Sequence, residues 1–381
     1  MGNILDYLDW RGDLTLRNAE FNEVDNLILA LVSYVVLEGI VPGVDSKESV
    51  SVEEAAKAYF LRHTAEEIEA GTSFIHMIPF LLKKMGESRR FKNARLSNYV
   101  NRIDVDQQKQ FSALHITLDD RTTYISFCGT DDTIVGWQED FNMSFKIVPS
   151  QTEAVEYVEQ TMKGFFRKYC LGGHSKGGNL AIYAATKCSA KVKKRILTVY
   201  NNDGPGFSKE MVSDPAYREA MAKMNSYVPE SSIIGMLLEH GGKYKIVGSS
   251  QKGVMQHDGL SWEVRGKHFV ECEERTTESV MFEETLKGWL YDLDEKQKEN
   301  FISDLFDAIR ATGAENLSEI GGSGLRGMTA LFKSLSKMDS ENKAVINKLF
   351  SAFTNEYNKK VVMPILGRIV PQVGTKTKKD E

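Results

Sequence analysis

The chain has 381 residues, of which 41% are hydrophobic and 27% charged, and its formal net charge at pH 7 is −5. This composition is typical of a soluble globular protein with one large domain and an appendage, or with two domains. A slightly acidic chain has no overall attraction to nucleic acid, and a basic cluster at residues 187–195 lacks interleaved aromatic residues, so we interpret it as a solvated helix end.

The sequence also bears on compartment and cofactors. The first ten residues contain two aspartates and lack the basic and apolar regions of a signal peptide. The apolar stretch from Leu27 to Leu37 is shorter than the about 20 residues that span a bilayer. Cys128, Cys170, Cys188 and Cys272 have no spacing typical of disulfides or metal ligands, and the first two are predicted to be core residues. We therefore expect a cytoplasmic protein without metal or cofactor.

The N-terminal part of the chain is predicted to be helical. Residues 20–40 begin with Asn22 as a candidate N-cap, followed by acidic residues and then by apolar residues at helical spacing. Further helices are predicted at residues 51–62 and 75–84. Residues 86–110 are polar and partly basic, and they give no assignment.

Strand patterns dominate the middle of the chain. Phe111 to Leu118 and Thr122 to Cys128 are rich in β-branched and aromatic residues and are predicted to form a hairpin. The pattern then alternates, with helices at 150–168 and 178–188, strands at 169–172 and 195–200, a helix and a strand near 208–228, and strand-like stretches at 244–247 and 261–264. Alternating helices and strands predict an α/β fold, with a mainly parallel sheet between helices.

From about residue 292 the strand patterns give way to helical ones. Apolar residues share helical faces at Phe301, Leu305, Phe306 and Ile309, at Leu325, Met328, Leu331, Phe332 and Leu335, and at Val345, Ile346, Leu349, Phe350 and Phe353. We predict a first domain at 1–291, a helical C-terminal region at 292–370 and a disordered tail at 371–381. The C-terminal helices are expected to pack on the core or on each other, with a lid or a membrane-surface contact as the alternative.

The pentad Gly173-His174-Ser175-Lys176-Gly177 is the strongest functional signal. A G-x-S-x-G pattern between a short strand and a helix free of proline is typical of a nucleophile elbow, a sharp turn that exposes a serine hydroxyl. The glycines are needed because a side chain at either position would collide with the neighbouring strand or helix. Ser175 is therefore the predicted nucleophile, and an ordinary glycine-rich turn is the alternative.

A serine nucleophile needs a base and an acid that orients it, and in this fold the chain order is serine, acid, histidine. His257 lies in a loop between strand candidates and is the predicted base. His240, at the end of an apolar stretch predicted to be helical, and His268, in a strand, are expected to be structural. Asp203 follows the strand at 195–200 and is the preferred acid, with Glu230 one strand later as the alternative.

An oxyanion hole needs two donors. The backbone N–H of Lys176, the residue after the nucleophile, is the first, and Thr130, in the loop after the hairpin, is the second. The Lys176 side chain has two interpretations that the sequence leaves open. It binds an anionic head group of a substrate, or it pairs with Glu139 or Asp140.

Three segments together resemble the fungal-type (class three) lipases: Ser126-Phe127-Cys128-Gly129-Thr130, Gly136-Trp137-Gln138-Glu139-Asp140, and Gly173 to Gly178. The longer strings Gly-His-Ser-Lys-Gly-Gly-Asn-Leu-Ala and Tyr-Asn-Asn-Asp-Gly-Pro-Gly-Phe are similar to a poorly characterised bacterial branch of lipase-like proteins. The resemblance implies an α/β-hydrolase fold, cleavage of acylglycerols or related esters, Ser175 as nucleophile and Thr130 in the oxyanion hole. Cys128 replaces the usual arginine, and the segment at 227–232 lacks the aspartate that serves as acid in these lipases.

The sequence therefore predicts a carboxylic ester hydrolase that acts on a lipid or another small acyl ester. Two alternatives stay open. One is a catalytically silent binding or scaffold protein on the same fold, with a protein partner that the sequence does not identify. The other is a thioesterase or peptidase, because a triad alone does not determine which acyl group is cleaved.

Overall fold

The structure is a computed structural model, and it describes residues 1–310 apart from 72, 74, 132, 144, 145, 165 and 166. The helices are α1 Ile4–Arg11, α2 Glu23–Leu31, α3 Val52–Phe60, α4 Ala65–Glu69, α5 Ile78–Glu87, α6 Ile134–Asn142, α7 Pro149–Thr161, α8 Lys176–Lys187, α9 Ala190–Lys193, α10 Lys209–Ser213, α11 Pro215–Met221, α12 Thr277–Asp292 and α13 Glu295–Arg310. The strands are β1 Val50–Ser51, β2 Arg95–Asp104, β3 Lys109–Thr117, β4 Thr123–Phe127, β5 Tyr169–His174, β6 Ile196–Asn202, β7 Met224–Pro229, β8 Lys245–Val247, β9 Val264–Arg265, β10 His268–Phe269 and β11 Glu271–Cys272.

Nine of the strands within the described residues form one sheet, in the order β1-β2-β3-β4-β5-β6-β7-β8-β11. The pairs β4–β5, β5–β6, β6–β7 and β7–β8 are parallel. The pairs β1–β2, β2–β3, β3–β4 and β8–β11 are antiparallel. Helices join β4 to β5, β5 to β6 and β6 to β7, whereas the connection from β7 to β8 contains a 3₁₀ turn at Ile234–Met236. The predicted mainly parallel sheet and the predicted hairpin are both confirmed.

Each face of the sheet packs on its own layer of helices. Along β3, Phe111 and Ala113 belong to one apolar cluster, whereas Leu114 and Ile116 belong to the other. This alternation is the period-two geometry of a strand that is buried on both faces. The first cluster includes buried residues of α7, α8 and α11, and the second includes those of α1 to α5. The sheet order, the helices on both faces and the serine turn after β5 define an α/β-hydrolase fold.

Several helix predictions are confirmed with shorter bounds. Asn22 caps α2 and its side chain accepts from two backbone N–H groups, as predicted, but α2 ends at Leu31 instead of near residue 40. A 3₁₀ turn at Val32–Tyr34 follows, and Val35 is extended. The hydroxyl of Ser33 donates to the carbonyl of Ala30 at 2.7 Å, so it competes for an acceptor that a longer helix would use.

One local prediction was wrong, another was confirmed only in part, and one strand was missed. The stretch 233–238 contains a 3₁₀ turn at Ile234–Met236 instead of an α-helix, and Leu238 has a φ of 69° that no helix accommodates. In the stretch 261–264, predicted to be strand-like, Ser261 ends the 3₁₀ turn Gly259–Ser261 that the Asp258 side chain caps. Trp262 forms an isolated antiparallel bridge with Ser249, and Val264 begins β9. Strand β2 escaped assignment because a register shift between Ser97 and Val100 breaks its alternation.

The C-terminal helices are described as far as Arg310. The predicted face of Phe301, Leu305, Phe306 and Ile309 lies on α13, and all four side chains are buried. The described residues fall into two compact units, 1–298 and 299–310. The predicted helical faces beyond residue 310 and the tail at 371–381 lie outside the described residues, so the predicted boundary at 291/292 stays a prediction.

A buried ion pair joins the N-terminal helices to the segment before β2. The side chains of Asp25 and Arg90 are 0% exposed. Arg90 Nε donates to Asp25 Oδ1 at 2.6 Å, and Arg90 Nη2 donates to Asp25 Oδ2. The remaining guanidinium hydrogens reach the carbonyls of Leu14, Ala19 and Glu20. The pair is therefore fully hydrogen-bonded, as a buried charge must be.

Replacing Arg90 with methionine is expected to lower the free energy of unfolding by about 3–5 kcal/mol, because Asp25 would stay buried without a counter-charge. Urea unfolding followed by circular dichroism measures the change. The control is Lys57→Met, which removes an exposed lysine from an ion pair with Glu53 and should leave the midpoint unchanged. A midpoint for Arg90→Met equal to that of the wild type would contradict the assigned role.

Candidate active site

Ser175 occupies a strained turn between β5 and α8. Its backbone φ is 56° and its ψ is −134°, a conformation that residues with a side chain rarely adopt. The N–H of Ser175 donates to the carbonyl of Asn202 at 2.9 Å, which holds the turn against the end of β6. Since α8 begins at Lys176, Ser175 is the residue at which the chain reverses from strand to helix. This is the geometry of a nucleophile elbow.

The two glycines of the pentad are required by close backbone contacts. A Cβ added to Gly173 would lie 2.3 Å from the carbonyl carbon of Gly177. A Cβ added to Gly177 would lie 2.1 Å from the carbonyl oxygen of Phe127, in β4. Both distances are below any that real side chains show. A side chain at either position would therefore collide with the neighbouring strand or helix, as the sequence predicts.

Asp203 and His257 lie in direct contact. The Nδ1 of His257 is 2.6 Å from Oδ2 of Asp203, and the Asp203 side chain is 0% exposed. Because an ionised carboxylate only accepts hydrogen bonds, Nδ1 is the donor to Asp203, and in a neutral ring Nε2 is then the nitrogen that accepts a proton. The other carboxylate oxygen, Oδ1, accepts from the hydroxyl of Ser232 at 2.5 Å. Both oxygens of Asp203 are thus held by side chains from two later segments.

The position of Asp203 follows from the end of β6. Its N–H donates to the carbonyl of Tyr227 at 2.8 Å, and its φ of 54° lies in the left-handed region that aspartate tolerates better than most residues. The segment after β7, which lacks the aspartate of the lipases, supplies Ser232 instead. Glu230 in the same segment accepts from Gln256 Nε2 at 3.2 Å. Of the two acids that the sequence left open, the structure brings Asp203 to His257.

The other histidines after the elbow lie elsewhere. His257 ends the 3₁₀ turn Gly253–His257, in the loop region where it was predicted. His240 follows the 3₁₀ turn at 234–236, and burial lowers its pKa to about 4. The side chain of His268, in β10, is 59% exposed and lies 3.3 Å from Glu23. Neither is bonded to Asp203.

His174 joins the elbow to the His257 loop, a role that the sequence did not reveal. Its Nε2 lies 2.7 Å from the backbone carbonyl of His257, and its Nδ1 lies 3.0 Å from the hydroxyl of Tyr34. A carbonyl only accepts, so Nε2 carries the proton and Nδ1 accepts from Tyr34. Burial lowers the pKa of His174 well below its usual value, which keeps the ring neutral. The rings of His174 and His257 are 4.6 Å apart between centroids.

Thr130 lies in the loop after β4, beside the elbow. It is 2% exposed, and its hydroxyl donates to Oδ2 of Asp140. Burial raises the pKa of Asp140 to about 6, although Lys176 and Thr130 oppose the rise. Lys176 is the first residue of α8, so its backbone N–H has no carbonyl partner within that helix. The loop and the helix start are the two places where the sequence predicts oxyanion donors.

The Lys176 side chain points into the protein. It is 0% exposed, and its Nζ donates to the backbone carbonyl of Gln110 at 2.9 Å and to Glu139 Oε2 at 3.2 Å. Burial disfavours the ammonium, but Glu139 and Asp140 outweigh this effect and raise the pKa of Lys176. The sequence left two interpretations of this side chain open. In the structure it pairs with Glu139 and Asp140, and its burial excludes contact with the head group of a substrate.

The geometry can be compared with known proteins. A profile of the Mbeg1-like family matches residues 85–307, which is more than half of the chain. The chain belongs to the Mbeg1-like family. The matched range contains the elbow, the Thr130 loop and the pair of Asp203 and His257. A comparison with curated proteins finds no match for this Mbeg1-like chain.

Solved lipases resemble the Mbeg1-like chain at low identity. Rhizomucor miehei lipase in complex with its propeptide is 18% identical, with a TM-score of 0.31, and the match covers 40% of this chain and 57% of that one. A triacylglycerol lipase described as having a serine protease triad at its catalytic centre is 15% identical, with a TM-score of 0.36 over 58% of this chain and 77% of that one. A lipase from Rhizopus microsporus var. chinensis is 14% identical, with a TM-score of 0.32 over 49% and 76%.

The match thus spans little more than half the length of the Rhizomucor lipase. Chains this dissimilar need not share a substrate, and the fold of the Mbeg1-like chain is established by its own sheet and elbow. Among the residues that the structure describes, no cluster of His, Cys, Asp and Glu is arranged to hold a metal ion. Within the same residues, none of the helices has the length and apolar character needed to cross a bilayer.

Proposed function

We propose that the protein is a serine ester hydrolase in which Ser175, His257 and Asp203 form a catalytic triad. The observation that most supports the proposal is the 2.6 Å contact between His257 Nδ1 and Asp203 Oδ2. The ring of His257 packs on that of His174, the residue immediately before the strained serine. A lipase-like fold in the Mbeg1-like family agrees with an enzyme of this class.

In the proposed reaction, Ser175 Oγ bonds to the acyl carbon while its proton moves to His257 Nε2, and the carbonyl π electrons move to oxygen. Asp203 stabilises the imidazolium that forms, and the N–H groups of Lys176 and Thr130 stabilise the oxyanion. The intermediate collapses and expels the alcohol, which takes the proton from His257. Water then attacks the acyl-enzyme and gives its proton to His257. The second intermediate releases the carboxylic acid, and Ser175 Oγ takes the proton back.

The proposed substrate is an acyl ester, including a lipid ester, and the proposed compartment is the reducing cytoplasm. All four cysteines are free thiols, which agrees with that compartment. For a lipid ester, the substrate would lie at a membrane surface, and co-sedimentation of the protein with vesicles would detect the contact. The triad does not determine the acyl group, so thioester and peptide substrates belong in the same assay.

The test is labelling of the folded, full-length protein by a fluorophosphonate probe, followed by mass spectrometry of the labelled peptide. We expect one label on Ser175, because only an activated serine reacts, and no label after heat unfolding. A separate, unlabelled sample is assayed on nitrophenyl esters of short and long acyl chains, and the labelled sample should be inactive. Folded protein that takes up no label would support the catalytically silent binding protein instead.

A further inference from the structure

The backbone N–H of Lys176 is a proposed oxyanion donor, but this role does not explain why the side chain of Lys176 is buried. It follows the proposed nucleophile directly, yet it is 0% exposed and points toward the hairpin strands instead of the substrate. Burying an ammonium costs several kcal/mol unless it is paired and hydrogen-bonded. A small apolar residue would fill a helix start at far lower cost, so the contacts of this ammonium indicate why a lysine lies there.

The first connection runs from Lys176 through Gln110 to the oxyanion loop. Lys176 Nζ donates to Gln110 Oε1 at 2.5 Å, which fixes the orientation of the Gln110 amide. The amide nitrogen Nε2 consequently faces the other way and donates to the carbonyl of Gly129 at 3.4 Å. The ammonium thereby holds the residue immediately before Thr130.

The second connection runs through Asp140 to Thr130 itself. Asp140 Oδ1 lies 3.8 Å from Lys176 Nζ, and Oδ2 of the same carboxylate accepts from the Thr130 hydroxyl. Glu139 completes the set, since its Oε2 accepts from Lys176 Nζ and from the N–H of Gln110 at 3.0 Å. One ammonium is thus linked to both residues of the loop that is proposed to hold the oxyanion.

We propose that Lys176 is a positioning residue that fixes the distance between the two donors of the oxyanion hole. Its backbone N–H is one donor, and its side chain anchors the loop of Gly129 and Thr130, which supplies the other. The inference rests on the proposed ester hydrolase function and deepens it. Donors that are fixed before the reaction stabilise the developing charge without reorganisation, which is the main source of rate in such sites.

Two variants separate positioning from a purely structural role. Lys176→Met removes the ammonium at similar length, and it leaves two acids buried without their counter-charge. Gln110→Met removes only the amide between Lys176 and Gly129, and it changes no charge. The matched control is Lys187→Met, on the same helix, where the lysine pairs with Asp214 at 2.6 Å. Each kcat is divided by the fraction of folded protein, measured by circular dichroism.

We expect kcat to fall by about 10- to 100-fold in Lys176→Met and by at least about threefold in Gln110→Met, with KM within about twofold of wild type. Lys187→Met should match the wild type. A kcat per folded site that is unchanged in both Lys176→Met and Gln110→Met would overturn the proposal, since a purely structural lysine affects only the number of folded molecules.

Hydrogen–deuterium exchange of residues 129–131 gives a readout that does not depend on turnover. The proposal predicts faster exchange of this loop in both site variants, and no change in Lys187→Met. Unchanged exchange in the two site variants would overturn the positioning role even in an active enzyme. If the wild type hydrolyses no ester, the proposed function fails, while faster loop exchange would still support the anchoring of the loop by Lys176.

Discussion

Replacing Ser175 with alanine is expected to lower kcat for ester hydrolysis by about 10,000-fold or more, because no other atom can form the acyl-enzyme. The variant should fold as the wild type does, since the smaller alanine fits where Ser175 is buried and the turn is held by backbone contacts. Initial rates on a nitrophenyl ester, with circular dichroism to verify folding, measure the effect. Residual activity within tenfold of the wild type would exclude Ser175 as the nucleophile.

A second variant, Ser175→Gly, tests whether the backbone at the elbow is strained when it is compared with Ser175→Ala. With a φ of 56° and a ψ of −134°, a residue with a Cβ is strained, whereas glycine adopts this conformation freely. Ser175→Gly should therefore be as inactive as Ser175→Ala but about 1 kcal/mol more stable in urea unfolding. A glycine variant less stable than the alanine variant would show that the turn stores no strain.

Replacing Asp203 with asparagine is expected to lower kcat by about 1,000- to 10,000-fold, because asparagine cannot stabilise the imidazolium of His257 and permits the wrong tautomer. Asparagine accepts a φ of 54° as readily as aspartate does, so the backbone at the end of β6 should not change. The measurement is kcat on a nitrophenyl ester, with circular dichroism to verify that the variant is folded. The pH profile of the variant adds a second readout of the histidine.

Glu230→Gln is the matched control, because it removes a carboxylate of the segment after β7 that accepts from Gln256 instead of His257. It should leave kcat within about twofold of the wild type, since charges beyond direct contact act weakly on the imidazolium. The reverse result, a large loss in Glu230→Gln and none in Asp203→Asn, would move the acid of the proposed triad to Glu230.

The sequence predicted the fold well where the signal is local. The hairpin, the elbow and the helix after it each depend on residues that are neighbours in the chain, and glycines or β-branched residues mark them. Strand β2 was not predictable in this way. Asn98, with a φ of 54°, lies at its irregularity and shifts the side chains that follow to the other face.

The site was predictable in outline, and its supporting contacts were not. Asp203 and His257 were chosen from chain order and from the position of strand ends, which are properties of the topology. The contacts of His174 with Tyr34 and of Lys176 with Gln110 join residues 140 and 66 positions apart. No local pattern encodes such pairs. A lysine directly after the nucleophile was the one available signal, because an elbow has no room for an unpaired charge.

The contacts of helix α2 determine which fragments of this protein are worth expressing. The family match begins at residue 85, but Asp25 of α2 binds Arg90, and Asn26 Nδ2 bonds to Asn202 Oδ1 at 2.8 Å. A fragment cut at residue 85 would leave Arg90 and Asn202 without these partners and would expose one apolar side of the sheet to water. Crystallisation trials and assays should accordingly keep the first 84 residues, which are as much a part of the fold as the matched range.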